Sequence, residues 1–172
     1  YEEHGPDCVA QLRGMFAFAI RDAPRQRLLL ARDRVGIKPL YLYQTRHSLL
    51  FASEIKALLA LPEVPRVLDE ESIDTFWTYR FLPGRSTMLR GIQKLLPGHI
   101  LVADADAAPV IQPYWDLRFV PSRGAITLDG AAEELTALMR ETVRQHMVAD
   151  APVGVLLSGG MDSSALLSLA TQ

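Results

Sequence analysis

The chain has 172 residues, 49% of them hydrophobic and 22% charged, and its 18 basic and 20 acidic side chains give a formal net charge of −2. That balance carries no signature of disorder, of a nucleic-acid footprint or of a membrane surface, and a single cysteine excludes an internal disulfide framework. The apolar runs fall short of the ~18 residues that suggest a spanning helix, and the expectation is a reducing, cytoplasmic compartment.

Along the chain, Cys8 lies in the short amphipathic stretch Asp7-Cys-Val-Ala-Gln-Leu12 and reads as a small buried hydrophobe rather than a nucleophile. Met15 to Arg21 and Arg27 to Arg32 are predicted strands around the proline-bearing turn Asp22-Ala-Pro-Arg-Gln26. Arg32-Asp33-Arg34, with Gly36, Lys38 and Pro39, reads as a charged hairpin end rather than an anion site. A second hairpin is expected from Leu40 to Gln44 and Leu49 to Ala52. Glu54 to Leu61 should be a short helix capped by Ser53 and ended by Pro62, and Asp69 to Tyr79 another with an acidic first turn. His99 to Val102 and Val110 to Tyr114 read as strands flanking an Asp/Ala turn, with Trp77 and Trp115 as packing anchors. His4, His47, His99 and His146 show no metal spacing.

From about Asp116 to Leu128 the sequence is irregular, loosest at Pro121-Ser-Arg-Gly124, and a domain boundary is placed there. Asp129 is expected to cap a long helix whose apolar positions Leu135, Leu138, Met139, Val143 and Met147 follow three-and-four spacing, a stripe suited to packing on a following sheet. Asp150-Ala-Pro152 ends it. Val153, Val155, Leu156 and Leu157 then form an apolar run expected of a strand buried on both faces of a parallel sheet.

The segment Leu157-Ser-Gly-Gly-Met-Asp-Ser-Ser164 carries the chemistry. Gly159 and Gly160 let main-chain amides approach an anion closely, Ser158, Ser163 and Ser164 add hydroxyls, and Ala165, Leu166, Leu167 and Leu169 resume as a helix. The first turn of that helix presents unpaired N–H groups and a partial positive charge. Asp162 would be repelled by a polyphosphate unless a cation stood between them, and Mg²⁺ held by one carboxylate and phosphate oxygens resolves the conflict. The alternative is that Asp162 only caps the helix. No lysine follows the glycines, so this is not a Walker loop.

Ser158-Gly-Gly-Met-Asp-Ser163 resembles the pyrophosphate loop of ATP pyrophosphatases, which cleave ATP to AMP and pyrophosphate. Leu12-Arg-Gly-Met-Phe-Ala-Phe-Ala-Ile20, Ala31-Arg-Asp-Arg-Val-Gly-Ile-Lys-Pro-Leu-Tyr41, Phe51-Ala-Ser-Glu-Ile-Lys-Ala-Leu58, Leu96-Pro-Gly-His99 and Tyr114-Trp-Asp116 occur in the order found in glutamine-hydrolysing asparagine synthetases. The resemblance covers essentially the whole chain. It implies an α+β fold: the C-terminal part of an N-terminal-nucleophile sandwich, followed by the start of an α/β Rossmann-like ATP pyrophosphatase domain. Residues 1–118 would be the C-terminal part of the glutaminase domain, 119–128 a linker and 129–172 the beginning of the ATP-binding domain. In that family a terminal cysteine attacks glutamine, and the segment bearing it and the glutamine-binding residues lies before the part matching Tyr1, so no catalytic glutaminase residue is assigned here. The chain is expected to be an internal fragment, inactive and poorly folded alone.

Carried over from the family, Leu156 would meet the adenine through its backbone, Ser158, Gly159, Gly160, Asp162 and Ser163 would grip pyrophosphate, and Asp162 would act through Mg²⁺. The implied reaction uses ATP, aspartate and glutamine: aspartate is adenylated to β-aspartyl-AMP, and ammonia tunnelled from the glutaminase site displaces AMP. No nucleic-acid or membrane partner is expected, and a homodimer of the parent is left open. Two alternatives stand beside this. One is a sibling on the same scaffold acting on another carboxylate, as in β-lactam or lasso-peptide cyclisation or cell-surface polysaccharide amidation; the other is a non-catalytic scaffold subunit.

Overall fold

The computed structural model describes residues 1–119, 124 and 126–171. It divides into two compact units, Tyr1–Leu117 and Arg118–Gln172.

The first unit is α+β with antiparallel sheets. A 3-10 turn, Gly5–Gln11, precedes strands β1 (Ala17–Asp22) and β2 (Arg27–Arg32), then β3 (Tyr41–Gln44) and β4 (Leu49–Ala52). Helices α1 (Ile55–Leu58) and α2 (Glu70–Tyr79) follow, and β5 (Ile92–Lys94), β6 (His99–Asp104) and β7 (Val110–Pro113) complete the unit. The strands form one four-stranded sheet ordered β1-β2-β6-β7 and one three-stranded sheet ordered β4-β3-β5. Every pairing is antiparallel, and the pair β2–β6 runs from Arg27 opposite Asp104 to Ala31 opposite Ile100.

The two-residue period of β2 sorts its side chains between two cores. Leu30, with Leu101 of β6, faces Leu40, Leu42 and Leu95 of the other sheet's neighbourhood, and these five form one buried cluster. Leu29 and Ala31 point the other way, with Ile100, and meet Val9 of the 3-10 turn and the rings of Phe16, Phe18 and Tyr114. Being buried on both faces and paired on both edges, β2 reads as Arg27-Leu-Leu-Leu-Ala-Arg32, a continuous apolar run between two arginines. A third cluster, Leu58, Val64 and Ile92, covers the outer face of β3 and β5 along with Tyr41 and Tyr43.

The Arg32-Asp33-Arg34 segment is structural, as read from the sequence. Asp33 is 0% exposed, and its carboxylate accepts from the backbone amides of Ile37 and Lys38, each at 2.9 Å. Burial pushes this carboxyl upward, but the amides of Lys38, Ile37, Phe16 and Gly36 outweigh it and hold it below the usual carboxylate value. The Arg32 guanidinium donates to three carbonyls, Lys38 at 2.8 Å, Leu95 at 2.6 Å and Gly36 at 2.8 Å. Arg34 donates to the carbonyls of Leu12 and Ala10, tying in the 3-10 turn. The distant Leu96-Pro-Gly-His99 motif locks onto the same turn: the Gly98 amide donates to the Asp33 carbonyl at 2.9 Å. A Cβ on Gly98 would stand 2.5 Å from the Trp115 carbonyl oxygen, and φ there is +66°. Both the space and the dihedral therefore require glycine.

The expected strands and helices of this unit are present, with boundaries shifted by one to three residues, the largest shift being α1, which ends at Leu58 rather than Leu61, and three further details differ. Ser53 does not cap α1; Glu54 holds that position in an extended conformation without a side-chain cap bond. The three-residue strand β5 has no counterpart in the sequence reading, because Ile92-Gln-Lys94 is too short to show a period. Trp77 is not a packed anchor but 64% exposed, whereas Trp115 is half-buried against Gly98. Cys8 is half-buried beside Val9 and its neighbours.

The second unit holds α3 (Leu128–His146) and α4 (Met161–Ala170). Thr127, not Asp129, caps α3, its hydroxyl accepting from the Gly130 amide at 3.1 Å, while Asp129 lies in the first turn where an acid complements the helix dipole. The expectation that the Leu135–Met147 stripe is core is not met: no residue of α3 is buried, and Leu138 is 66% exposed. Nor is Val153–Leu157 a strand; it is irregular and exposed along its length. A ladder needs a second strand to receive its N–H and C=O groups, and no strand among the described residues of this unit provides one. The loose point expected at Pro121-Ser-Arg-Gly124 falls largely outside the described residues.

Candidate phosphate-binding loop

The predicted site residues lie on the irregular segment and the turn that opens α4. Leu156 is 97% exposed. Ser158, Gly159 and Gly160 form the turn, Gly159 with φ +77°, a left-handed conformation that side chains rarely adopt. Gly160 is the helix N-cap in an extended conformation, and no side chain caps the helix. Among the described residues, no side-chain oxygen caps the first-turn N–H groups of Met161, Asp162 and Ser163.

The structure brings the hydroxyls of Ser158 and Ser163 to 3.0 Å of one another across the turn. The Ser158 hydroxyl also accepts, at 3.4 Å, from the Gly160 amide, and the Ser163 hydroxyl donates to the Gly160 carbonyl at 3.1 Å. Ser164 is tied to the same carbonyl through its hydroxyl at 2.8 Å and its amide at 3.1 Å, which fixes the start of the helix rather than facing the turn. The turn thus brings together two hydroxyls, a glycine backbone without Cβ obstruction and a helix N-terminus, a combination suited to an anion.

Asp162 stands in the first turn of α4, so it does not cap that helix from the N-cap position. Among the described residues there is no group of three or more His, Cys, Asp or Glu side chains that could hold a metal by themselves. A single carboxylate beside an anion-binding turn is nevertheless the donor set Mg²⁺ uses when phosphate oxygens and water supply its other ligands. No helix among the described residues is long and apolar enough to cross a membrane. The sequence reading passed over one feature of the first unit, a cavity beside α2 with two cations on its wall. Its signal was present: residues 79–94 carry Arg80, Arg85, Arg90 and Lys94 and no acid.

Comparison with known proteins accounts for both units. The glutamine amidotransferase domain model matches residues 1–115, and the asparagine synthase model matches residues 134–172. The chain is 34% identical, over 99% of its length, to asparagine synthetase [glutamine-hydrolyzing] 3 of Bacillus subtilis, and covers 27% of that protein. It is 38% identical to a putative asparagine synthetase [glutamine-hydrolyzing] of Mycobacterium tuberculosis, with 99% of the chain and 27% of that protein aligned. It is also 37% identical to amidase chry2 of Gibberella zeae, over 98% of the chain and 25% of that protein. The chain thus spans about a quarter of the length of these relatives. It belongs to the glutamine amidotransferase domain family, in the asparagine synthetase type whose amidotransferase domain is followed by an asparagine synthase domain.

Proposed function

We propose that the protein carrying this chain is a glutamine-dependent ligase that converts aspartate to asparagine, with ATP cleaved to AMP and pyrophosphate through β-aspartyl-AMP. The observation that carries this reading is the order within one chain: an amidotransferase-family unit, then a serine- and glycine-rich turn opening a helix within an asparagine synthase match. The amidotransferase sheets would be part of an N-terminal-nucleophile sandwich, and α3 and α4 the beginning of a Rossmann-like ATP pyrophosphatase domain.

In this reading Ser158, Gly159, Gly160 and Ser163 bind the β- and γ-phosphates, with the α4 N-terminus facing their charge, and Leu156 lies by the adenine. Asp162 would hold Mg²⁺ through its carboxylate, and the ion, when bound, would supply positive charge beside the phosphates. The turn's donors stabilise pyrophosphate as it separates and leave the α-phosphate open to the attacking carboxylate. The test is Asp162→Ala in the full-length protein. AMP formation from ATP and aspartate should be abolished while glutamine hydrolysis persists; unchanged AMP formation would sink the assignment.

A second reading has its own support. Amidase chry2 and amidase chyE of Penicillium rubens are 37% and 35% identical to this chain, as similar as the synthetases are. The acceptor carboxylate would then be something other than aspartate on the same adenylating scaffold. AMP release that requires ATP but ignores aspartate would favour this reading, whereas asparagine appearing in step with AMP would favour the first.

A further inference from the structure

A shallow cavity of about 340 Å³, open to solvent, lies on the outer side of the three-stranded sheet. Its apolar wall comes from Ile55, Phe76, Phe81 and Met88, and Lys94 and Arg80 lie on it as well. The volume is at the small end of the range of ligand pockets, and a mostly apolar wall with a few charged groups is their usual chemistry.

Neither cation is neutralised by the fold. The Lys94 ammonium donates to the Leu82 carbonyl, its one acceptor among the described residues, and no carboxylate lies within ion-pair distance of it. Arg80 lies with its guanidinium carbon 5.8 Å from the centre of the Trp77 ring, and among the described residues its side chain has no hydrogen-bond or carboxylate partner. Arg80 is held there by a left-handed backbone, φ +61°, that closes α2 and bonds its amide to the Phe76 carbonyl at 2.7 Å. A side chain other than glycine in that conformation is uncommon, and here it closes α2 with Arg80 among the residues lining the cavity. Burial and the nearby charge of Arg32 depress the lysine, the cost of holding an ammonium without a counter-ion.

We propose that this cavity binds a small monocarboxylate with a flat apolar body, its carboxylate held by Lys94 and Arg80 and its body lying among Phe76, Phe81 and Met88. A monoanion is favoured over a phosphate because the wall is apolar, and a dianion loses far more hydration on entering it. A carboxylate also suits the Arg80 fork, which can take both oxygens. The site goes beyond the ligase reading and stands whether or not that reading holds.

The experiment uses the full-length protein and the probe 3-(4-fluorophenyl)propionate, followed by fluorine NMR of the ligand, with the neutral primary amide of the same acid as control. The acid should bind saturably and the amide about tenfold more weakly or worse, since one charge-assisted pair is worth at least about 1.4 kcal/mol. Lys94→Gln should weaken the acid by a similar factor and leave the amide unchanged, and Lys94→Arg should retain binding. Should Lys94→Gln fail to fold, Arg80→Gln carries the same test. Equal affinity for acid and amide, undiminished binding by these variants, or no saturable binding up to about 10 mM, a threshold weaker than any useful metabolite site, would overturn the proposal.

Discussion

Replacing Asp33 by alanine should destabilise the first unit more than any change to its surface charges. Its carboxylate accepts two backbone hydrogen bonds of 2.9 Å from Ile37 and Lys38, and the side chain is fully buried. Bonds to a charged acceptor contribute about 1.5–3 kcal/mol each, so the loss is about 3–6 kcal/mol, a large part of a domain's ~5–15 kcal/mol. For a unit of this size that lowers Tm by roughly 10–20 °C, which thermal unfolding followed by circular dichroism would read. Asp33→Asn, keeping one acceptor, should fall between. The pH dependence follows from the direction of the shift. The folded carboxyl sits below its unfolded value, so its contribution is complete above about pH 4 and is lost as pH falls through the lower folded value. Wild type should therefore lose more stability than Asp33→Ala on going from neutral pH to below pH 4. A Tm for Asp33→Ala within about 2 °C of wild type, or equal losses in acid, would refute the reasoning.

Glycines of similar backbone conformation should differ sharply in tolerance. Gly98→Ala meets the Trp115 carbonyl at 2.5 Å and should cost about 3 kcal/mol or more in urea unfolding, whereas Gly84→Ala, at φ +69° with nothing within 4 Å, should cost about 1 kcal/mol. Equal costs would remove the steric argument. Thr127→Ala removes the α3 cap and should speed amide exchange at Gly130 about fivefold, the effect of losing ~1 kcal/mol locally. Exchange unchanged at Gly130 would show that the cap is not limiting there.

What the sequence discloses about this chain depends on how local the signal is. The hairpins β1–β2 and β3–β4 are visible because each turn lies between two apolar runs. The serine- and glycine-rich turn that opens α4 is visible because its residues are consecutive. By contrast, the expectations for Val153–Leu157 and the α3 stripe rest on partners that would bury them; among the described residues the former is exposed and the latter is at most half-buried, at Met139 and Val143. An apolar pattern states that a surface has a use for burial, not that the burial is supplied within a given stretch of chain. The Lys94–Arg80 cavity shows in the sequence only as an acid-free run of basic residues, for a different reason. It joins the end of a helix to a three-residue strand fourteen positions later, and neither element announces a face by itself.

The four-stranded sheet also sets an order of events during synthesis. One of its two inner strands, β2, gains its second neighbour only from β6, since Arg27 pairs with Asp104. A nascent chain that has emerged through β4 holds two hairpins, with one edge of the Leu28-Leu-Leu30 strand unsatisfied until residues 99–104 clear the ribosome. At elongation rates of roughly 5–20 residues per second, that interval lasts several seconds. An open, strongly apolar edge is a template for pairing with another chain. Chaperone demand in this protein should therefore peak in that window, and codon choices that lengthen it should lower the yield of folded protein even though the finished chain is identical.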